Sequence, residues 1–168
     1  MQGGVVMIVL VRHGENGFNA GLLDKHDPNF YRLTQRGIIQ CEQAAVWLNA
    51  QRLYFDQGFH SNTVRARQTG HIILPQIAWQ EEPLLREISR GHEKNKHLDA
   101  RVEQFFTNGV LTRELNILIV SHEKWIIRAV ELLTKKEFLA DSDIENGQIT
   151  ILEEEEERYI ISTIWIPK

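Results

Sequence analysis

The sequence lacks the residues and runs that mark several large classes of protein. A single cysteine, Cys41, cannot form an internal disulfide, and no second thiol exists to complete a cysteine-rich zinc site. With 4 prolines and 11 glycines in 168 residues, collagen-like and low-complexity chains are excluded. The sequence begins without a secretory signal pattern, and its longest apolar runs are too short to cross a bilayer. We therefore expect a cytoplasmic protein with no membrane partner.

Charge of one sign is also scarce. The 19 Lys and Arg residues are balanced by 23 Asp and Glu residues, which gives a formal net charge of −4. Because no basic field covers the chain, we expect no nucleic-acid partner. Any anion-binding site has to be built locally from a few well-placed cations.

What the sequence does contain is the pattern of one globular domain, predicted to span residues 1–168. Apolar periodicity predicts strands at about 5–11, 53–59, 77–79, 116–120, 148–152 and 159–166, and helices at about 34–52, 63–74, 99–107 and 125–133. This order predicts an α/β protein, specifically a three-layer α/β/α sandwich with a mainly parallel central sheet and a C-terminal antiparallel hairpin.

Two of the predicted strands are followed directly by a histidine. His13 comes after the apolar run at residues 5–11, and His122 comes after the run at residues 116–120. Ligands of such sheets gather beyond the carboxyl ends of the strands. We therefore expect the two histidines to lie at the same edge of the sheet, where a functional site would form.

Five short segments surround these histidines in sequence order. They are Arg12-His13-Gly14-Glu15, Leu33-Thr34-Gln35-Arg36-Gly37, Ser61 with Arg65-Ala66-Arg67-Gln68-Thr69, Leu85-Arg86-Glu87 with Gly91, and Val120-Ser121-His122. From about residue 8 to residue 128 the chain therefore resembles the histidine phosphatase superfamily, the phosphoglycerate mutase-like proteins. The resemblance implies a metal-free and cofactor-free enzyme that acts on a phosphorylated small molecule or a phosphoprotein.

The resemblance also implies roles for the matching residues. His13 would attack the phosphorus atom and become a transient phosphohistidine, a step for which a neutral imidazole is well suited near pH 7. Its second ring nitrogen would need a backbone acceptor. Arg12 and Arg65 match the two arginines that bind the phosphoryl group, and Asn19 lies where many members place a further phosphate contact. His122 matches the second histidine, which supports the charge during transfer.

Glu87 is the predicted acid and base. It matches the glutamate that protonates the leaving oxygen, and a carboxyl group close to a bound phosphate dianion has its proton affinity raised by the like charge. Cysteine-dependent phosphatases are excluded because Trp47 stands six residues after Cys41, where those enzymes need an arginine. A glycine-rich loop ending in Lys-Ser/Thr, as in the nucleotide-hydrolysing proteins, is also missing from the sequence.

Two features bear on the choice among activities. Glu123 follows the second histidine, where the family usually has glycine, and it adds a negative charge beside the expected phosphate site. Only 34 residues separate Glu87 from His122, which leaves little chain for a lid and predicts an open site. We therefore expect a phosphomonoesterase. A phosphoglycerate mutase-type phosphotransferase and a catalytically weak phosphate-binding module of the same fold remain the alternatives.

Overall fold

A computed structural model describes residues 7–21, 31–88, 93–110, 115–136, 143–156 and 158–168. Six strands form one sheet in the order β3-β2-β4-β1-β5-β6. The strands are β1 (Met7–Arg12), β2 (Gln57–His60), β3 (Trp79–Glu81), β4 (Ile117–Ser121), β5 (Ile149–Glu155) and β6 (Arg158–Trp165). The helices are α1 (Gln35–Ala50), α2 (Val64–Ile73), α3 (Asn95–Phe105) and α4 (Glu123–Thr134), with a 3-10 turn at Pro83–Leu85 and a π turn at Phe106–Val110.

The central strands are parallel and the C-terminal strands are antiparallel, which confirms the predicted fold class. β4 pairs in parallel with β1 and β2, and β2 pairs in parallel with β3. β5 runs antiparallel to β1 and forms the C-terminal hairpin with β6. Because β1 and β4 are adjacent and parallel, the residues that follow them emerge together at one edge of the sheet.

β1 is buried on both faces, as its continuous apolar run predicts. Ile8 and Leu10 pack into the core beneath α3 and α4, whereas Val9 and Val11 pack into the core beneath α1 and α2. The alternation follows from the two-residue period of a strand. The two cores place one helical layer on each face of the sheet. In the part of the chain that is described, none of the helices has the length and apolar character needed to cross a membrane.

Threonine side chains fix the starts of the two helices nearest the site. Thr34 accepts a hydrogen bond from the Gly37 amide at the start of α1, and Thr63 accepts one from the Ala66 amide at the start of α2. These contacts satisfy amides that have no partner within their own helix. The Thr63 cap fixes the first turn of α2, which carries Arg65.

The loop after β1 packs unusually closely on α1. A Cβ atom on Gly37 would lie 2.0 Å from the carbonyl oxygen of Glu15, and one on Gly14 would lie 2.6 Å from the carbonyl oxygen of Gly37. Only residues without a side chain allow this approach. The contact holds the segment that carries His13 against the first helix.

The boundaries differ from the predicted ones mainly around the short elements. β3 lies at Trp79–Glu81 and not at 77–79, α3 begins four residues earlier than predicted, and β5 extends into the acidic run as far as Glu155. The extension reflects pairing with β6, which overrides the low strand propensity of glutamate. The predicted start of β1 at residue 5 lies outside the described residues.

Candidate active site

His13 lies directly after β1 and is 2% exposed. Its amide donates to the carbonyl oxygen of Ser121 at 3.1 Å, which ties it to the end of β4. Its Nδ1 lies 2.8 Å from the carbonyl oxygen of Gly14. A carbonyl oxygen can only accept, so Nδ1 carries the hydrogen and Nε2 keeps its lone pair. The backbone acceptor that we expected for the second ring nitrogen is therefore the next residue in the chain.

Burial lowers the pKa of His13 well below its ordinary value, and the nearby charges of His122, Arg65 and Arg12 lower it further. The hydrogen bond to the Gly14 carbonyl opposes this shift. The imidazole is therefore neutral near pH 7. A neutral ring with a defined tautomer presents a nucleophilic nitrogen on the side away from Gly14.

Arg65 joins the two histidines. Its guanidinium is buried, with Nε 3.3 Å from His13 Nε2 and a terminal nitrogen 3.2 Å from His122 Nδ1. The two imidazole rings lie at a centroid distance of 5.0 Å and an angle of 63°. Thr69, one turn further along α2, accepts from the Gly14 amide at 3.1 Å and donates to the Arg65 carbonyl at 2.8 Å. These two hydrogen bonds fix the position of α2 relative to the loop after β1.

His122 is fully buried after β4, and its Nε2 lies 2.9 Å from the hydroxyl oxygen of Ser61. Its Nδ1 faces both Arg65 and Glu87, whose Oε2 lies at 3.3 Å. Burial lowers the pKa of His122, although Glu87 opposes the shift. In the neutral form Nδ1 accepts from Arg65, and after protonation the same nitrogen donates to Glu87. Ser61 belongs to the quoted motif, but the sequence alone assigned it no role.

Glu87 has a half-exposed side chain, 39% accessible, at the mouth of this cluster. Its Oε2 is 3.9 Å from a terminal nitrogen of Arg65. Burial by itself would raise the pKa of Glu87, but the hydrogen bond to His122 and the positive charges of His122, Arg65 and Arg12 outweigh it, so the pKa is lowered. The predicted increase in the proton affinity of Glu87 applies to the site with phosphate bound, whereas the lowered pKa applies to the site without phosphate. Gly91, the last residue of the motif, lies outside the described residues.

Side chains from β4 and α4 fix the segment before Glu87. The Ser121 hydroxyl donates to the Leu85 carbonyl at 2.8 Å, and the indole nitrogen of Trp125 donates to the Leu84 carbonyl at 2.9 Å. Both carbonyls lie in or beside the 3-10 turn that leads to Glu87. The position of Glu87 is therefore set by residues far away in the sequence.

Arg101 of α3 adds a third support to the same segment. It donates to the carbonyl oxygens of Leu84 at 2.6 Å and Arg86 at 3.2 Å. It also binds both carboxylate oxygens of Glu93, at 2.7 and 3.0 Å. This bidentate pair holds the guanidinium in one orientation. No sequence signal predicts this role, because Arg101 lies in a helix without a motif.

Arg12 lies at the end of β1 with a side chain that is 15% exposed. One terminal nitrogen donates to the Ile144 carbonyl and lies 3.1 Å from a carboxylate oxygen of Glu123. Its Nε is buried and makes no hydrogen bond within the described part of the chain. The charge of Arg12 therefore acts on the cluster while its guanidinium is paired with the Glu123 carboxylate.

Asn19 lies further from the histidines and is exposed. Its Oδ1 accepts from the Asn16 amide at 3.3 Å and from the Asn146 side chain at 3.3 Å. Asn146 also donates to the carbonyl oxygen of His13 at 3.0 Å. The structure therefore connects Asn19 to His13 through Asn146, and it brings His13, Arg65, His122 and Glu87 into direct contact.

The ligand atoms of His13, Glu87 and His122 lie within 4.8 Å of one another and have the chemistry to hold a metal ion. Arg65, however, donates to a nitrogen of each histidine, so its positive charge occupies the approach to two of the three ligand atoms. A guanidinium in this position opposes a cation and favours an anion.

Residues 8–100 match the family model of the histidine phosphatase superfamily (branch 1). The chain belongs to this superfamily. Over 83 residues it is 35% identical to the 2,3-bisphosphoglycerate-dependent phosphoglycerate mutase of Methylobacterium radiotolerans. The match covers 48% of this chain and 38% of that relative, so the chain spans less than half of the length of the curated relatives it matches.

Solved structures of the superfamily match over nearly the whole chain. The alpha-ribazole phosphatase of Shigella flexneri has a TM-score of 0.81 at 22% identity, with 96% of each chain covered. The phosphoserine phosphatase of Entamoeba histolytica has a TM-score of 0.75 at 18% identity, with 94% of this chain and 95% of that chain covered. At these identities the likeness establishes the histidine phosphatase fold.

Proposed function

We propose that this histidine phosphatase superfamily member is a phosphomonoester hydrolase that works through a phosphohistidine on His13. The observation that carries the proposal is the state of His13: Nδ1 is bound to the Gly14 carbonyl, while Nε2 keeps its lone pair beside the Arg65 guanidinium. Such a nitrogen is a nucleophile once the guanidinium that donates to its lone pair turns to the oxygens of a bound phosphoryl group.

In the first half-reaction His13 Nε2 attacks the phosphorus atom. A nitrogen–phosphorus bond forms while the bond between phosphorus and the ester oxygen breaks. Glu87, in its carboxylic acid form, gives its proton to the departing oxygen. The positive ring that results keeps its Nδ1 hydrogen on the Gly14 carbonyl.

In the second half-reaction the Glu87 carboxylate takes a proton from water, and the water oxygen attacks the phosphorus atom. The nitrogen–phosphorus bond breaks and its electron pair returns to His13 Nε2, which leaves free inorganic phosphate. Splitting one displacement into two in this way lowers each barrier. A substrate dianion would offset the positive charges that lower the pKa of Glu87 in the free site, so Glu87 can be protonated when the ester is bound.

The remaining residues stabilise charge. Arg65 and Arg12 would bind the equatorial oxygens of the phosphoryl group, and His122, held by Ser61, would support the same charge. Asn19 would contact the phosphoryl group from the loop after β1. We propose a phosphorylated small molecule or a phosphoprotein as substrate, and chemistry that uses no cofactor or metal.

The test is hydrolysis of a chromogenic aryl phosphate by the wild type, by His13→Ala and by His97→Ala, a matched control at an exposed histidine of α3. We expect turnover in the wild type and in His97→Ala and none in His13→Ala. After quenching, the wild type should carry an acid-labile, base-stable phosphoryl group that His13→Ala lacks. Turnover by His13→Ala at the wild-type rate would refute the proposal.

A mutase is the second candidate, because the curated relatives are phosphoglycerate mutases. Product analysis with phosphoglycerates separates the two activities. A hydrolase releases inorganic phosphate, whereas a mutase moves the phosphoryl group between hydroxyl groups of one acid. Binding of phosphate without either reaction would identify a phosphate-binding module, a possibility raised by the contact between Arg12 and Glu123.

A further inference from the structure

Glu123 is held between two cations at the start of α4. Its Oε2 lies 3.1 Å from a terminal nitrogen of Arg12, and its Oε1 lies 3.2 Å from the Lys124 ammonium. The pair with Arg12 is largely withdrawn from water, since the two side chains are only 15% and 21% exposed. Screening is therefore weaker than for a surface pair.

The same Arg12 is one of the two arginines that we propose to bind the phosphoryl group. It is the last residue of β1, next to His13 in the chain and paired in register with Ser121 of β4, and its Nε is buried without a hydrogen-bond partner in the described residues. Its charge is close enough to act on the titration of His13, Arg65, Glu87 and His122. A phosphoryl group that engages the Arg12 guanidinium would thus come next to a carboxylate that is already bound there. Two anions on one guanidinium repel each other, so binding of one weakens binding of the other.

We propose that Glu123 competes with the phosphoryl group for Arg12 and thereby sets how tightly the site retains phosphate. This inference rests on the proposed function in one respect, namely that the cluster around His13 and Arg65 binds a phosphoryl group. In this scheme Glu123 sets the affinity of the site for phosphate and takes no part in bond making.

The second contact of Glu123 makes the exchange reversible. When phosphate takes over Arg12, the carboxylate keeps the Lys124 ammonium, which is 57% exposed and free to follow it, so no unpaired charge is left in the interior. When phosphate leaves, Glu123 returns to Arg12. This arrangement weakens binding of the product. Weak product binding suits an enzyme that must release inorganic phosphate in each catalytic cycle.

The test is the Kd of inorganic phosphate and of orthovanadate, measured by calorimetry on the full chain. The variants are Glu123→Gln and, as a matched control on the same helix, Glu131→Gln, which removes an equal charge from a pair with Arg128. We expect Glu123→Gln to bind both anions about tenfold more tightly, the size typical of coupling between charged groups in contact. We expect Glu131→Gln to stay within about twofold of the wild type. Tighter binding is not an effect that damage to the fold produces.

A double variant shows whether the effect passes through Arg12. In an Arg12→Met background the gain from Glu123→Gln should vanish, and a gain that persists there would overturn the inference. Unchanged or weaker binding by Glu123→Gln alone would overturn it as well. Absence of phosphate binding in every variant would overturn both this inference and the proposed function. Tighter binding by Glu123→Gln in a protein that hydrolyses no ester would support the inference and refute only the hydrolase.

Discussion

Arg65 Nε lies 3.3 Å from His13 Nε2, with the guanidinium donating into the lone pair of the imidazole. A different nitrogen of the same guanidinium lies 3.2 Å from His122 Nδ1. One rigid, planar cation therefore addresses both rings at fixed angles. A flexible ammonium group has no equivalent geometry.

The first prediction concerns this geometry. Arg65→Lys keeps the charge but cannot serve both histidines, so we expect kcat/KM for an aryl phosphate to fall about 100-fold, and further in Arg65→Ala. Arg67→Lys, on the exposed side of the same helix, is the matched control and should retain wild-type kinetics. Steady-state kinetics of the three variants decide the matter. Wild-type kinetics in Arg65→Lys, with a loss only in Arg65→Ala, would show that charge alone accounts for the effect.

The second prediction concerns Glu87 as proton donor. Glu87→Gln keeps the shape of the side chain but cannot give a proton to the leaving oxygen. We expect kcat to fall about 100-fold or more for an alkyl phosphate and much less for a nitrophenyl phosphate, whose oxygen leaves without protonation. Glu81→Gln, an exposed glutamate of β3, is the control. Equal losses on both substrates would remove Glu87 from this role.

The convergence of His13 and His122 could be predicted because it depends on local signals. A continuous apolar run predicts a buried strand, and adjacent parallel strands deliver their C-terminal residues to one edge. The helices that begin near Thr34 and Thr63 are predicted from apolar periodicity, and in the structure both threonines are capping residues. These inferences need only a few consecutive residues.

The placement of Glu87 could not be predicted in this way. It depends on hydrogen bonds from Ser121, Trp125 and Arg101 to carbonyls of the turn before it. Those partners are 14 or more residues away in the chain and carry no common pattern. The pairing of Arg12 with Glu123 is of the same kind, because it follows from the docking of α4 after β4.

The third prediction tests this support of Glu87. Arg101→Met removes the bidentate partner of Glu93, whose side chain is 6% exposed, while its second partner Arg86 remains at 3.5 Å, so we expect the free energy of unfolding to fall by about 2 kcal/mol. Arg128→Met, which breaks two more exposed pairs, with Asp99 and Glu131, should cost less than about 1 kcal/mol. Denaturant unfolding measures both.

A kinetic readout separates positioning from stability. In the double variant Arg101→Met, Glu93→Gln the buried carboxylate that lost its bidentate partner is neutralised, and part of the stability should return. The ratio of kcat for a nitrophenyl phosphate to kcat for an alkyl phosphate should nevertheless rise, as in Glu87→Gln, because the carbonyls before Glu87 have lost a donor. If the double variant kept the wild-type ratio of the two kcat values, Arg101 would have a structural role only.

The last prediction is a pH dependence of stability that arises from the buried histidines. Burial, the largest cause, lowers the pKa of His13, His122 and His60 in the folded chain. In the unfolded chain each titrates near its ordinary value of about 6.5. Below that value the unfolded chain binds more protons than the folded chain, so the free energy of unfolding falls as pH falls.

We therefore expect the contribution of these histidines to be constant above about pH 7 and to fall toward pH 5, by up to about 1.4 kcal/mol per pH unit for each fully buried histidine. Glu87 does not contribute in this range, because its lowered pKa places its own loss of stability at more acidic pH. Urea unfolding at a series of pH values measures the slope. His13→Gln should reduce the slope, and His97→Gln, at an exposed histidine of α3, should not. A slope of opposite sign, or one that His13→Gln leaves unchanged, would mean that His13 is not held neutral by the fold, and it would weaken the case for its nucleophilic nitrogen.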